Sequence, residues 1–323
     1  MTTADLIGKI VQLLLGPIIF LAVIGLILFF IDRAPKRGRD VLQLTLFLAP
    51  AIILLAVGLV YPAVSTSITA FMNSAGEFVG FDNFVWMFTQ PEALVTLRNT
   101  VIWVLLVPTL STAIGLAYAV FVDRSRGERI YKSLIFMPFA ISFVGAGIIW
   151  KFVYEYRPAS RDQIGLLNQI VVWFGGEPVL WLQSPPVNTL LLIVVMIWVQ
   201  TGFAVVVLSA SIKGIPTEQI EAAELDGTNG WQRFTNITLP GIRGGLVVVV
   251  TTISIATLKV FDIVRTMTGG NFQTSVVANE MYTQAFRAGE DGRGAALAVI
   301  LFIMVVPIVV YNVRVLRQNR EVR

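Results

Sequence analysis

The chain has 323 residues, of which 56% are hydrophobic and only 14% are charged, and its formal net charge is +4. Soluble domains carry about 25% charged residues, so this composition predicts an all-α integral membrane protein, in which each helix satisfies its own backbone. Cysteine and histidine are both absent, which excludes disulfides, thiolate metal sites and imidazole bases. The small positive charge is typical of basic cytoplasmic loops in a membrane protein, and we expect no nucleic-acid partner.

Seven apolar segments are long enough to cross a bilayer, since a membrane-spanning helix needs about 20 apolar residues. They cover residues 10–31, 41–61, 100–122, 134–154, 188–212, 244–261 and 295–315. The fourth segment contains Pro138, and the sixth is short and rich in hydroxyl side chains. Membrane bundles tolerate both features where neighbouring helices satisfy the backbone. We therefore expect about seven transmembrane helices.

The first apolar segment is predicted to be an extra helix. Together with the basic stretch behind it, this helix forms residues 1–40, which precede a six-helix core at residues 41–323. A cleaved signal peptide is the alternative interpretation. It is disfavoured because most of the basic residues follow the apolar run and no small-residue cleavage site is present.

Basic residues concentrate in three segments that seven spans place on the same side of the membrane. They are Arg33, Lys36, Arg37 and Arg39, then Arg124, Arg126, Arg129 and Lys132, and finally Arg317, Arg320 and Arg323. Because cytoplasmic loops carry an excess of lysine and arginine, we expect the C-terminus inside and the N-terminus outside. Aromatic residues near the external span ends, such as Trp173 and Trp181, are typical of an interfacial belt or of contact with an external partner.

The segment between the fifth and sixth spans, residues 213–243, differs from the other connections. It is too long for a simple link, since loops in helical bundles usually have about 2–8 residues. Pro216 suits a first helical turn, good helix formers follow it, and the run 226–230 then breaks the helix. A second amphipathic stretch, residues 231–237, is predicted to end at Leu239 and Pro240. We expect two short helices on the cytoplasmic face, and their acidic first half disfavours a helix that rests on anionic lipid.

This segment resembles the cytoplasmic-loop motif of ABC importer permeases, which reads E-A-A, three residues, G, nine residues, I-x-L-P. The matching residues are Glu221, Ala222, Ala223, Gly227, Ile237, Leu239 and Pro240, with Asp226 beside the glycine. The resemblance implies that residues 213–243, called the coupling loop below, insert into a cleft on a cytoplasmic ATPase subunit. In that setting the two alanines permit close approach, Glu221 and Glu224 offer carboxylates to a cation, and Gly227 either needs a positive φ or lacks room for a Cβ.

Two further stretches resemble the maltose-type sugar permeases. Val79 to Phe84 is similar to their x-G-x-x-N-[FY] sequence, and Arg98-Asn99-Thr100 is similar to the start of their core. Phe261-Asp262 followed by Thr268-Gly269-Gly270-Asn271 resembles F-D…T-x-G-G-P, without the usual spacer and proline. That departure is familiar from permeases for α-glucosides and glucosylglycerol.

The resemblance implies a permease subunit of a bacterial ABC sugar importer in the plasma membrane. Its partners would be a second permease, homologous but distinct, two ATPase subunits that bind ATP and magnesium, an extracytoplasmic sugar-binding protein and membrane lipid. The sugar would be an α-glucoside, maltose- or trehalose-like, or glucosylglycerol-like. An ABC permease for a non-sugar solute is the alternative.

Several other functions are disfavoured by what the sequence lacks. No G-x-x-x-x-G-K-[ST] phosphate loop is present, so ATP has no usual cradle in this chain. The span interiors contain no acidic residue, which argues against a proton- or sodium-coupled transporter. No convergent catalytic or metal-binding set is apparent, so we expect neither an enzyme nor a resident cofactor.

The solute pocket is predicted from the resemblance, because maltose-type permeases hold their ligand with the spans on either side of the coupling loop. The candidates are Met196, Gln200 and Phe203 on the fifth span and Ser254 and Thr257 on the sixth. Ordinary hydrogen bonding between helices is the alternative role of these polar groups.

Overall fold

The structure of the chain is a computed structural model that describes residues 3–32, 39–123 and 125–321. Those residues form helices, turns and loops. An isolated antiparallel β-bridge pairs Met72 with Phe78. The all-α fold class is therefore confirmed. The predicted basic positions 33, 36, 37, 124 and 323 lie outside the described residues, as do the side chains of Arg39, Arg317 and Arg320.

The chain divides into two compact units between Thr66 and Ser67. The first unit is built from α1 (Thr3–Asp32), α2 (Arg39–Leu55) and, after a π-helical turn, the start of α3 (Tyr61–Thr69). The apolar run Gln43–Thr69 is long enough to span a membrane, and no side chain in its most apolar stretch is buried. Such a surface suits contact with lipid. The predicted division of the chain at residue 41 stays a prediction.

The second unit contains the remaining described helices. They are α4 (Asp82–Thr89), α5 (Pro91–Val122), α6 (Glu128–Phe136), α7 (Phe143–Val153), α8 (Leu166–Trp173), α9 (Val187–Lys213), α10 (Thr217–Leu225), α11 (Gly230–Arg233), α12 (Leu239–Gly241), α13 (Arg243–Leu258), α14 (Asp262–Met267), α15 (Val277–Thr283) and α16 (Asp291–Glu321). By length and composition α5, α9 and the Asp291–Val315 part of α16 can each cross a membrane.

One of the predicted spans is bent, and another is preceded by a bend. Glu128–Ala140 and Phe143–Val153 meet at 99°, and Gly230–Gly241 and Arg243–Leu258 meet at 67°. At the first bend Pro138 lies in a 3-10 turn, because proline has no N–H to continue the α-helical ladder. With each bent pair counted as one span, the described residues contain up to six spans, and α1 adds the shorter apolar stretch Leu14–Leu26.

Helix α9 is the centre of the second unit, where it packs against α5, α6, α7, α13 and α14. Its contact with α5 is close: a Cβ built at Gly115 would lie 2.6 Å from the Cβ of Ala204. The largest fully buried side chains around it include Trp103, Leu192 and Met196. Helix α9 has no internal proline, whereas the other long described helices contain Pro17, Pro50, Pro108 and Pro307.

A loop at residues 268–276 lies at the end of the bundle opposite the coupling loop, and we call it the outer loop. The Asn99 amide of α5 donates to the carbonyls of Gln273 at 2.6 Å and Ser275 at 3.0 Å, and the Asn188 amide of α9 donates to that of Phe272 at 2.8 Å. Two long helices therefore hold the loop by its backbone.

The outer loop needs this support because its backbone is strained. Gly269 and Gly270 have φ of 68° and 88°, and Phe272 and Gln273 have φ of 54° and 60°. A non-glycine residue in this left-handed region costs about 1–2 kcal/mol. The two glycines of the Thr-Gly-Gly-Asn sequence are thus required by backbone conformation.

Candidate coupling loop and solute pocket

The first helix of the coupling loop is α10 (Thr217–Leu225), which begins after Pro216 and is followed by Asp226 and Gly227. The φ of Gly227 is +75°, and no described atom lies within 4 Å of a Cβ built on it. Of the two reasons predicted for this glycine, the positive φ therefore applies within the chain. Beyond it, the N–H and hydroxyl of Thr228 both donate to the carbonyl of Ala223, at 3.1 and 2.7 Å, which closes the C-terminus of the helix.

The second helix begins with a capping box. The Asn229 side chain accepts from the N–H of Gln232, and the Gln232 side chain accepts from the N–H of Asn229, both at 2.9 Å. The helix then continues through a π-helical turn, Phe234–Thr238, into α12. Helix α12 ends at Gly241, one residue beyond Pro240, so the predicted stop at Leu239 and Pro240 lies next to the observed end of the helix. The chain bends directly after it.

The exposed face of the coupling loop is formed by a subset of the motif residues. Glu221 and Ala222 are exposed, whereas Ala223 is only 7% exposed and packs inside the chain. Glu224 forms an ion pair with Arg233 of the second helix, so of the two predicted glutamates Glu221 is the one without an ion pair among the described residues. Two large apolar side chains also face outward, since Leu225 is 89% and Trp231 72% exposed.

The remaining motif residues lie between the two helices and on the second helix. Asp226 is exposed, Ile237 packs against the core, and Leu239 is 37% exposed. A cavity of about 210 Å³ lies between the two helices and the ends of α5 and α9, with Val120, Ile215 and Phe234 among its walls. The loop is therefore a pair of short helices whose inner side packs against the bundle and whose outer side is exposed.

The predicted solute residues of α9 are brought together around Gln200. Met196 is fully buried and Gln200 is 4% exposed, and the Gln200 amide makes no hydrogen bond to any described residue. Phe203 lies one turn further on and stacks on Phe139 with ring centroids 5.6 Å apart. A polar amide without a partner inside an apolar span is costly unless a ligand or water satisfies it.

The predicted residues of α13 are satisfied locally. The Ser254 hydroxyl donates to the carbonyl of Val250 and the Thr257 hydroxyl to that of Ile253, both at 2.7 Å. Their oxygen lone pairs remain able to accept a hydrogen bond. Both side chains are buried, with Thr257 fully so.

Sequence reasoning missed Phe139, which follows Pro138 in the 3-10 turn and faces Phe203. The proline signalled a break in the fourth span, but it gave no indication of which side chain the turned backbone would present. The sequence also gave no indication of the close contact at Gly202, where a Cβ would lie 2.7 Å from the carbonyl oxygen of Ile135. Only glycine lets α6 approach α9 this closely.

Comparison with known proteins agrees with this architecture. The sequence profile of the family described as binding-protein-dependent transport system inner membrane component matches residues 93–322. The α-glucoside transport system permease protein of Rhizobium meliloti (strain 1021) is 52% identical over 83% of this chain and 81% of its own length. An osmoprotective compounds uptake permease protein of Synechocystis sp. is 48% identical over 86% of this chain and 100% of its own length.

Among solved structures, a chain of a bacterial ABC transporter involved in the import of the acidic polysaccharide alginate superposes with a TM-score of 0.74. The alignment covers 88% of this chain and 98% of that chain at 24% identity. At this identity the likeness establishes the fold alone.

Proposed function

Because the chain belongs to the family of binding-protein-dependent transport system inner membrane components, we propose that it carries an α-glucoside or a related small sugar across the inner membrane. The chain is the permease core of an ABC importer. The sugar assignment is supported by the α-glucoside transport system named for the relative with 52% identity. A non-sugar solute is the second candidate, since the relative with 48% identity is named for osmoprotective compounds.

The coupling loop is the observation that carries this proposal. Work done by a soluble ATPase reaches a membrane helix only through a contact that keeps its shape, and two capped helices provide one. Glu221 and Ala222 form the contact face, with Leu225 and Trp231 exposed beside them. Asp226, Gly227, Ile237, Leu239 and Pro240 shape the loop behind this face.

The energy and the solute come from partner subunits. Two copies of a separate ATPase bind ATP and magnesium, since this chain has no phosphate-binding loop. A second permease, homologous but distinct, completes the translocation path, and an extracytoplasmic binding protein delivers the solute. The C-terminus lies in the cytoplasm and the N-terminus outside.

The solute pocket lies along α9, within reach of the coupling loop. Gln200 is about 20 Å from Lys213, the last residue of the helix, at 1.5 Å of rise per residue. The Gln200 amide binds sugar hydroxyls and Phe203 packs on a sugar ring, while Met196, Ser254 and Thr257 complete the wall. Alternating access then follows from movement of α9 relative to the second permease.

The function is tested by co-purifying the chain with its partners, reconstituting the complex in lipid vesicles and measuring its rate of ATP hydrolysis. We expect maltose or trehalose presented with the binding protein to raise the rate, and glycine betaine to have no effect. Stimulation by glycine betaine alone would replace the sugar with the non-sugar solute. Failure of the chain to retain any ATPase would contradict the importer assignment itself.

A further inference from the structure

Glu128 links two cytoplasmic elements that are distant in sequence. Its Oε1 atom lies 2.5 Å from the Nζ of Lys132 and 2.6 Å from the Nζ of Lys213. Lys132 is on the same helix, but Lys213 ends α9 and is the first residue of the coupling loop. The Glu128 side chain is 19% exposed, so the carboxylate is largely enclosed between the two cations.

The same two helices are joined a second time, deeper in the bundle. A Cβ at Gly202 of α9 would lie 2.7 Å from the Ile135 carbonyl oxygen and 2.9 Å from the Cα of Phe136. One residue later Phe203 stacks on Phe139. The backbone of α6 therefore packs on α9 beside the candidate pocket, and the Glu128–Lys213 pair fixes it at the cytoplasmic end.

Because α6 contacts α9 at both places, the Glu128–Lys213 pair can transmit movement of the coupling loop to α6. Because the Lys213 side chain is 55% exposed, the pair contributes little to folding stability, and its placement matters more than its strength. A displacement of the coupling loop moves α9 together with Lys213 at its end, and the pair transfers that displacement to the start of α6. Helix α6 continues into the 99° bend before α7, and residues at such a junction between elements are where a hinge absorbs changes in φ and ψ.

We propose that Glu128 is a positioning residue that couples movement of the coupling loop, through Lys213, to the bent α6–α7 pair and so to Phe139 and Phe203 in the solute pocket. This inference rests on the proposed function, because it needs an ATPase that acts on the coupling loop. Without the pair, α10 still docks on the ATPase, but its movement reaches α6 incompletely. ATP is then hydrolysed with less solute moved.

The test measures the solute imported per ATP hydrolysed by the complete complex in vesicles. In Glu128→Gln we expect this ratio to fall about tenfold, within the range of a typical coupling free energy, while retained ATPase and basal hydrolysis stay unchanged. Lys213→Gln should lower the ratio in the same way, so the link is tested from both sides if one variant fails to fold. The double variant Glu128→Lys with Lys213→Glu should restore most of the ratio.

The matched control is Glu290→Gln, because Glu290 forms an ion pair with Arg293 at 3.8 Å at the start of α16, away from the coupling loop. It should leave the ratio at the wild-type value. A wild-type ratio in both Glu128→Gln and Lys213→Gln would overturn the proposal, as would a double variant no better than the single ones. Loss of ATPase retention in the wild-type complex would instead count against the proposed function.

Discussion

Gly227 follows helix α10 of the coupling loop and has a left-handed conformation with a φ of +75°. No described atom lies within 4 Å of a Cβ built on it. This combination separates two effects of substitution. A β-branched residue pays for the backbone conformation inside the free chain, whereas asparagine adopts this conformation more easily. A partner that closes over the turn would reject both residues.

We predict that Gly227→Val weakens retention of the ATPase about tenfold, since a left-handed β-branched residue costs at least about 1–2 kcal/mol. Gly227→Asn should retain more ATPase than Gly227→Val if the backbone conformation is the main requirement. Pull-down of the ATPase from detergent-solubilised membranes measures both. Equal, wild-type retention by the two variants would remove Gly227 from the coupling surface.

Gln200 carries an amide with no hydrogen-bond partner among the described residues, in the middle of a buried helix face. We predict that Gln200→Ala raises the half-saturating sugar concentration about fivefold, the effect of losing about 1 kcal/mol of hydrogen bonding. Phe203→Ala should do the same through lost ring contact. Uptake into vesicles is the measurement, with basal ATP hydrolysis expected to stay normal.

Thr201→Val serves as the control for this pair. Thr201 is buried beside Gln200, but its hydroxyl already donates to the carbonyl of Ile197 at 2.7 Å, so its loss should leave uptake unchanged. Uptake at the wild-type level in both Gln200→Ala and Phe203→Ala would place the pocket elsewhere or in the second permease.

The residues of the coupling loop differ in how far the sequence could predict them. The helix break at Gly227 followed from a run of poor helix formers, and the structure places a left-handed glycine there. The inward position of Ala223 and the pairing of Glu224 with Arg233 did not follow. Both depend on how α10 and α11 fold back on each other, which spacing in one helix does not determine.

At the scale of elements, apolar length predicted the straight spans well and the bent ones poorly. The runs in α5, α9 and α16 are continuous, so hydropathy alone identified them. The fourth span bends by 99° and the sixth is preceded by a 67° bend. Pro138 signalled the first bend, and Pro240 lies just before the second.

The outer loop is the element with the strongest dependence on long-range hydrogen bonds. We predict that Asn99→Ala and Asn188→Ala each lower the free energy of unfolding by about 1–3 kcal/mol, because each leaves a carbonyl of a strained loop without its donor. Thermal unfolding in detergent measures the loss, and proteolysis should cut the loop first. The exposed Asn236, whose side chain accepts only from Thr235, supplies the control Asn236→Ala, which should change little. Equal stabilities for all three variants would contradict the stabilising role of Asn99 and Asn188 in the outer loop.

At the scale of the whole molecule, the charge distribution predicts which end of the chain lies inside the cell. A reporter active only in the cytoplasm should be active when fused after Arg323 and silent when fused before Met1. Activity at both ends would indicate an even number of spans and would exclude α1 as a transmembrane helix. Silence after Arg323 would reverse the orientation and place the coupling loop outside.

The absence of proline from α9 affects how fast a movement can pass from one end of the helix to the other. Its 27 residues form an uninterrupted helix about 40 Å long. Asn188 holds the outer loop at one end, and Lys213 lies at the other. No proline removes an N–H from this ladder, so α9 has no proline at which it would kink. Solute binding at the outer-loop end would then reach the coupling loop by rigid-body motion of α9, in microseconds to milliseconds, with no local unfolding of the helix.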